Sequence, residues 1–155
     1  MKCKERLEQY LREHGVPFEV MTHAPSYTMQ EVAAALHVSG KQVAKVVMVK
    51  AGEEMAMLVL PAPYRLNLAK VRAVLGRGVK LAQEGEFADL FADCAPGAMP
   101  PFGNLYGVPV YVDRTLAEQE SVIFRIGTHQ DSMRVAYADL ARLVQPTVSE
   151  FAYLI

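Results

Sequence analysis

Residues 43–49 read Val-Ala-Lys-Val-Val-Met-Val, and as a β-strand they turn apolar side chains to both faces. Val43, Val47 and Val49 share one face with Lys45, while Ala44, Val46 and Met48 form the other. Such a strand is not half-exposed, with its lysine safely in water. A second apolar run, Met55–Leu60, follows after Ala51-Gly-Glu-Glu54, so the two runs form a hairpin.

The lysine inside that hairpin is the first candidate for chemistry. An unpartnered buried ammonium is costly, and long stems escape the cost by carrying the charge outward. Lys45 therefore either ends in a polar pocket or snorkels from a position near the strand end, and the pattern alone leaves both open.

The remaining elements follow from local signals. Residues 3–14 form an amphipathic helix with Leu7, Tyr10 and Leu11 on one stripe and Gly15 as its stop. Val16–Met21 is a short extended piece, ended by the polar His23-Ala-Pro-Ser26. Thr28-x-x-Glu31 is a capping box that opens a helix to Leu36, and Asn67 caps another over residues 68–75. Val79–Ala82, Val108–Val112, Ser121–Ile126 and Met133–Ala136 are strand candidates; Glu84–Phe91 and Tyr137–Leu143 are helical, and the tail is irregular. Strands and helices mix without a regular βαβ alternation. The chain is expected to be one α+β domain over residues 1–155, with a curved, mostly antiparallel, barrel-like sheet and flanking helices.

Composition narrows the class. Hydrophobic residues make up 52% and charged residues 21% of 155, which excludes a disordered chain. Cys3 and Cys94 make neither a disulfide framework nor a metal-ligand spacing, and no metal or cofactor is expected. The charged start and the lack of a long apolar run argue against a signal peptide or membrane span, so a cytoplasmic protein is expected. The net charge of −1 hides a dipole: residues 41–80 carry +6, residues 1–40 carry −1 and residues 81–155 carry −6. One basic segment can hold a polyanion while the whole stays near neutral. Chance clustering of charge on solvated helices is the other reading.

Two further segments can carry chemistry. Pro96-Gly-Ala-Met-Pro-Pro-Phe-Gly-Asn104 is too rich in proline and glycine to be regular, and suits a pocket wall or an oxyanion cradle as well as a stiff connection. Gly127-Thr-His-Gln-Asp131 follows a strand, a usual place for site residues and also an ordinary turn. His23 and Tyr27 lie in another polar loop, His14 and His37 look structural, and Cys94 reads as a small buried cysteine rather than a nucleophile. There is no phosphate-binding glycine loop, zinc spacing or nucleophile elbow.

Together, Val43-Ala-Lys45-Val-Val, Gly97-x-x-Pro-Pro-Phe-Gly103 and Gly127-Thr-His129 resemble the YbaK/prolyl-tRNA-synthetase-associated editing domain. His23-Ala-Pro-Ser-Tyr-Thr28 also looks like that family's access loop, and the resemblance runs over nearly the whole chain. It implies metal-independent hydrolysis of the ester joining a wrong amino acid to tRNA. A freestanding, trans-acting member is expected, since the chain has no room for a synthetase catalytic module. The usual substrates of the family are small residues such as Ala or Cys, on tRNA for proline.

Carried over residue by residue, the resemblance makes Lys45, Gly103 and His129 the catalytic group. It assigns substrate binding to His23, Tyr27, Gly97, Met99, Pro100, Pro101, Phe102, Gly127 and Thr128. The basic segment would meet the acceptor end of aminoacyl-tRNA through Lys41, Lys50, Arg65 and Lys70, with a synthetase as a further partner. Met99-Pro-Pro-Phe102 departs from relatives that carry a small or polar residue before a single proline, which leaves the amino acid open. A non-catalytic tRNA- or protein-binding module on the same fold is the main alternative, and a Schiff-base lysine enzyme is a third.

Overall fold

The computed structural model describes residues 2–26 and 28–154, so Tyr27 lies outside the described residues. The two apolar runs form the expected hairpin, β2 (Ala44–Ala51) and β3 (Glu54–Pro61), in register from Ala44↔Pro61 to Ala51↔Glu54. A two-residue turn closes it, with Gly52 at a φ of +65°. On β3, Met57 and Val59 enter the main core while Ala56, Leu58 and Leu60 enter a second one. On β2, Ala44 and Met48 join the first core and Val49 the second. Each alternate residue thus has its own apolar layer, which is why the hairpin is buried on both sides.

The layers are supplied by the rest of the chain. Helix α1 (Cys3–Glu13) puts Leu7 and Leu11 into the main core beside Phe102, Phe124 and Met133. Helix α2 (Met29–Leu36) covers a third cluster of Val32, Ala33, Val43 and Ile123. Its cap is as expected: the Thr28 hydroxyl accepts from the Glu31 amide at 3.1 Å. Helix α3 (Leu68–Leu75), capped by Asn67, lays Val71 on the second core.

Around the hairpin, β5 (Lys80–Leu81) pairs with β2, and β6 (Val110–Asp113) pairs with β3. A separate three-stranded sheet joins β1 (Glu19–Thr22), β8 (Asp131–Ala136) and β7 (Ser121–Arg125). These pairings are antiparallel apart from β3–β6 and the partner of β6 on its other side. An isolated bridge between Val43 and Ile123 links the three-stranded sheet to that of the hairpin, and neither sheet closes into a barrel. The predicted helix at Glu84–Phe91 divides into α4 (Glu84–Phe87) and a 3-10 turn over Ala88–Phe91. The short helix α5 (Arg114–Ala117) and helix α6 (Tyr137–Val144) complete the set, and no helix among the described residues is long and apolar enough to cross a membrane.

The tail departs from expectation. Instead of being irregular, it forms β9 (Thr147–Ser149), parallel to β6, and β10 (Ala152–Tyr153), antiparallel to β4 (Arg65–Leu66). Asp113 is the cause. Its carboxylate is 1% exposed and accepts from the amides of Phe151 and Ala152 at 2.9 Å each, and from the Thr115 amide and hydroxyl. A buried carboxylate is tolerable only with such a full set of donors. Asp113→Ala is expected to cost about 2–4 kcal/mol by leaving those donors unmet. Thermal unfolding would then shift down by roughly 5–15 °C; an unchanged midpoint would show that the tail docks by other means.

Candidate functional site

Lys45 is the second residue of β2, so both features weighed for it from the sequence are present: it stands near a strand end and reaches a pocket. Its ammonium donates to the Ala62 carbonyl at 3.1 Å, just past the end of β3. Burial pushes its pKa below the ordinary lysine range, and the nearby Arg65 guanidinium pushes the same way.

The pocket beside it has a volume of about 530 Å³, within the range of small-molecule sites. Five parts of the chain wall it: the start of α2, the start of β2, Ala62 just past β3, the Pro96–Met99 loop, and Arg125 with His129. None of its lining residues among those described is a carboxylate. Two cations, Lys45 and Arg125, face it instead, so the site is built to hold negative charge.

His129 is fixed by its turn. The Thr128 hydroxyl donates to Asp131 at 2.7 Å and accepts from the amides of Gln130 and Asp131. Thr128 is thus occupied in shaping the turn and does not line the pocket. In the pocket wall, the His129 Nε2 lies 3.0 Å from the Pro96 carbonyl, so Nε2–H is the donor. Gly97 sits next to this contact at a φ of +77°, where a side chain would be strained and would sit against the imidazole. Gly127 has a different reason for lacking a side chain: a Cβ there would lie 2.6 Å from that of Cys3. It lets α1 pack behind the turn.

The other residues expected from sequence divide clearly. Lys45, Gly97, Met99 and His129 converge on one pocket. Pro100, Pro101 and Phe102 are buried and leave the pocket wall, with Phe102 in the main core between Tyr10 and Phe124. Gly103 is buried too and is not among the pocket's lining residues; a Cβ there would stand 2.5 Å from the Val108 carbonyl, so the backbone packs too closely for a side chain. His23 stands behind the site: its Nδ1–H donates to the Ala24 carbonyl at 2.8 Å and its Nε2 accepts from Ser132 at 2.9 Å. Among the basic residues, Lys50 is engaged by Glu86 at 3.0 Å, whereas Lys41, Arg65 and Lys70 are exposed. Cys94 shares the Tyr106 hydroxyl with Cys3, and its thiol pKa is pushed up by a hydrogen bond with the Cys3 thiol and by burial, the reverse of an activated nucleophile. No group of three or more His, Cys, Asp or Glu side chains that could hold a metal occurs among the described residues.

Arg125, not foreseen from the sequence, holds the site together. It is 6% exposed at the end of β7, and donates to the Gly97 carbonyl at 3.1 Å and the Ser26 carbonyl at 2.7 Å. Burial lowers its pKa, partly offset by the Glu31 carboxylate. The loops on either side of the pocket are thereby tied to one guanidinium. Its sequence signal was the one that marked Lys45: an ionisable residue in an apolar strand, Val122-Ile-Phe-Arg-Ile126.

With this geometry in view, comparison with known proteins gives a consistent answer. Residues 23–143 match the aminoacyl-tRNA editing domain, and the chain belongs to that family. It is 29% identical over 136 residues to a proline–tRNA ligase of Thiobacillus denitrificans (strain ATCC 25259 / T1). That match covers 84% of the chain and 23% of the ligase, so the chain spans about a quarter of the length of this relative. Among solved structures, the hypothetical protein APE2540 superposes with a TM-score of 0.86 at 23% identity, over 96% of this chain and 99% of that one. A protein provisionally described as a trans-editing enzyme for prolyl tRNA synthetase superposes with a TM-score of 0.84 at 22% identity, over 99% and 98% of the two chains. These two likenesses establish the fold, an α+β editing-domain architecture.

Arg125→Met should cost about 2–4 kcal/mol, because two carbonyls lose a charged donor. It should also loosen the pocket, seen as faster amide exchange in both the Ser26 and Gly97 segments. Exchange that changes in neither segment would deny Arg125 its role as a clamp.

Proposed function

We propose that this protein hydrolyses the ester bond of mischarged aminoacyl-tRNA in trans, removing a small amino acid such as alanine or cysteine from tRNA for proline. The observation that carries the reading is that Lys45 and a His129 bonded to Pro96 line one pocket whose described lining has no carboxylate. Membership of the editing-domain family and the partial match to a proline–tRNA ligase agree with it. The setting would be the cytoplasm, during or after release of the tRNA from a synthetase.

The physical need is for discrimination. A synthetase pocket made for one amino acid rejects a smaller one by only about 1–3 kcal/mol per missing methylene, so a second hydrolytic site must supply the rest. An aminoacyl ester is already activated, and the second site needs position and charge stabilisation more than a strong nucleophile.

In this mechanism water adds to the ester carbonyl, and negative charge gathers on the carbonyl oxygen. The Lys45 ammonium and backbone amides of the Pro96–Met99 loop stabilise it. The Ala98 amide is already bonded to Ala95, which leaves those of Gly97 and Met99 for the task. His129 orients the ester and the water. Collapse of the adduct breaks the bond to the ribose oxygen, which takes a proton, giving the free amino acid and tRNA. With no carboxylate among the described residues lining the pocket, the neighbouring ribose hydroxyl is the group that assists the attacking water. No metal takes part in this scheme.

Deacylation of a panel of mischarged tRNAs by the wild type and Lys45→Ala tests the proposal. One or a few small amino acids should be released rapidly, with kcat/KM falling about 100-fold or more in the variant, and with no effect of chelator. Salt-sensitive tRNA binding without hydrolysis would instead make the protein a binding module.

The pH dependence gives a second test. Because burial and Arg65 lower the pKa of Lys45, its charged form is lost at a lower pH than for an exposed lysine. The rate ratio of wild type to Lys45→Ala should therefore decline as pH rises toward the lysine range. Arg65→Gln removes the repulsion and should move that decline to higher pH; a ratio flat with pH would mean the ammonium charge is not used.

A further inference from the structure

Lys45 borders a second depression of about 430 Å³. The first pocket takes Ala44 and Val46 from one face of β2, while the second takes Val47 from the other. Lys45, at the beginning of the strand, stands between them. The second depression has an apolar floor that includes Val47 and Leu60, and a rim that includes Leu81 and Tyr153, which are 54% and 45% exposed.

Its charge is as distinctive as its shape. Arg65 forms one wall, and neither Arg65 nor Lys45 has a carboxylate within ion-pair distance among the described residues. Burial lowers the pKa of Lys45 and repulsion from Arg65 lowers it further. Lys50, farther along the same strand, is neutralised by Glu86. Two cations without an ion-pair partner among the described residues, beside an apolar shelf, complement a ligand that is both anionic and flat. A nucleotide has these properties, with a phosphate beside a base.

The fold also holds the shelf in advance. Tyr153 and Arg65 are direct partners in the β10–β4 ladder, so their side chains leave the same face side by side. The Asp113 carboxylate fixes the amides of Phe151 and Ala152 immediately before Tyr153. An aromatic ring and a guanidinium are thus presented together on strands that cannot slide.

We propose that this shelf receives the unpaired nucleotides at the 3′ end of tRNA. Tyr153 and Leu81 take the faces of the bases, Arg65 takes a backbone phosphate, and Lys45 marks the passage from the shelf to the hydrolytic pocket. The inference rests on the aminoacyl-tRNA reading given above, and names where its nucleic-acid end is gripped.

Two measurements test it independently of catalysis and through it. Binding of a fluorescein-labelled single-stranded RNA, 5′-ACCA-3′, is titrated by anisotropy at low salt. Tyr153→Ala and Arg65→Gln should each weaken it about tenfold, the scale of losing one stacked base or one phosphate contact, while Tyr153→Phe should stay within about twofold of wild type. Leu81→Ala, at an exposed edge position, should weaken binding without altering thermal unfolding. In deacylation of mischarged tRNA, Tyr153→Ala should raise KM about tenfold at nearly constant kcat, whereas Lys45→Ala lowers kcat.

Unchanged oligonucleotide affinity in Tyr153→Ala and Arg65→Gln would overturn the shelf, as would equal competition by a duplex lacking an unpaired end. Tyr153-dependent binding without hydrolysis of any ester would retain the shelf and reject the catalytic reading. Rapid hydrolysis with KM untouched by the shelf variants would do the opposite.

Discussion

The hairpin of β2 and β3 must be covered on both faces, and the rest of the architecture follows from that demand. Burying a Val, Leu or Met side chain contributes about 1.5–3 kcal/mol, and the hairpin presents such side chains in both directions. One layer comes from α1 and the β1–β8–β7 sheet, the other from α3 and the tail, with α2 closing the end. A strand buried on both sides has only its ends for polar chemistry. Lys45 is at such an end, where its stem packs and its ammonium meets the Ala62 carbonyl and the pocket.

The site is assembled from segments distant in sequence, and their meeting is enforced by polar groups that would otherwise be unsatisfied. Arg125 spans Ser26 and Gly97, Thr128 folds its own turn, and the amides of His23 and Ser26 bond to the carbonyls of Gln130 and His129. The first loop, the Pro/Gly loop and the histidine turn therefore form one connected wall. The cost of burying a guanidinium is partly offset by its two carbonyl partners, while its Nε has no partner among the described residues.

Much of this was legible in the sequence because the signals were local. Two continuous apolar runs around Ala51-Gly-Glu-Glu54 gave the hairpin, the Thr28 and Asn67 caps gave the starts of α2 and α3, and an ionisable residue in an apolar strand gave Lys45. Arg125 carried the same signal but stands at a strand end, where a charge is easily taken for a solvated terminus. Gly103 shows a different limit: its motif says that something approaches closely, and the structure shows that the approaching atom is the Val108 carbonyl of the chain itself. The tail strands could not be read. They have three and two residues, and what orders them is Asp113, 38 positions away from Phe151.

The Arg125 clamp bears on how the walls of the pocket move. Because one side chain holds carbonyls from two loops, neither loop can swing out without breaking a charge-assisted bond that also steadies the other. Opening is thereby made collective. An aperture framed in this way would open as a unit rather than as two independent flaps, which would hold its width nearly constant for an entering ligand. Selection by size can then reside in the frame itself, with no closing movement needed to create it.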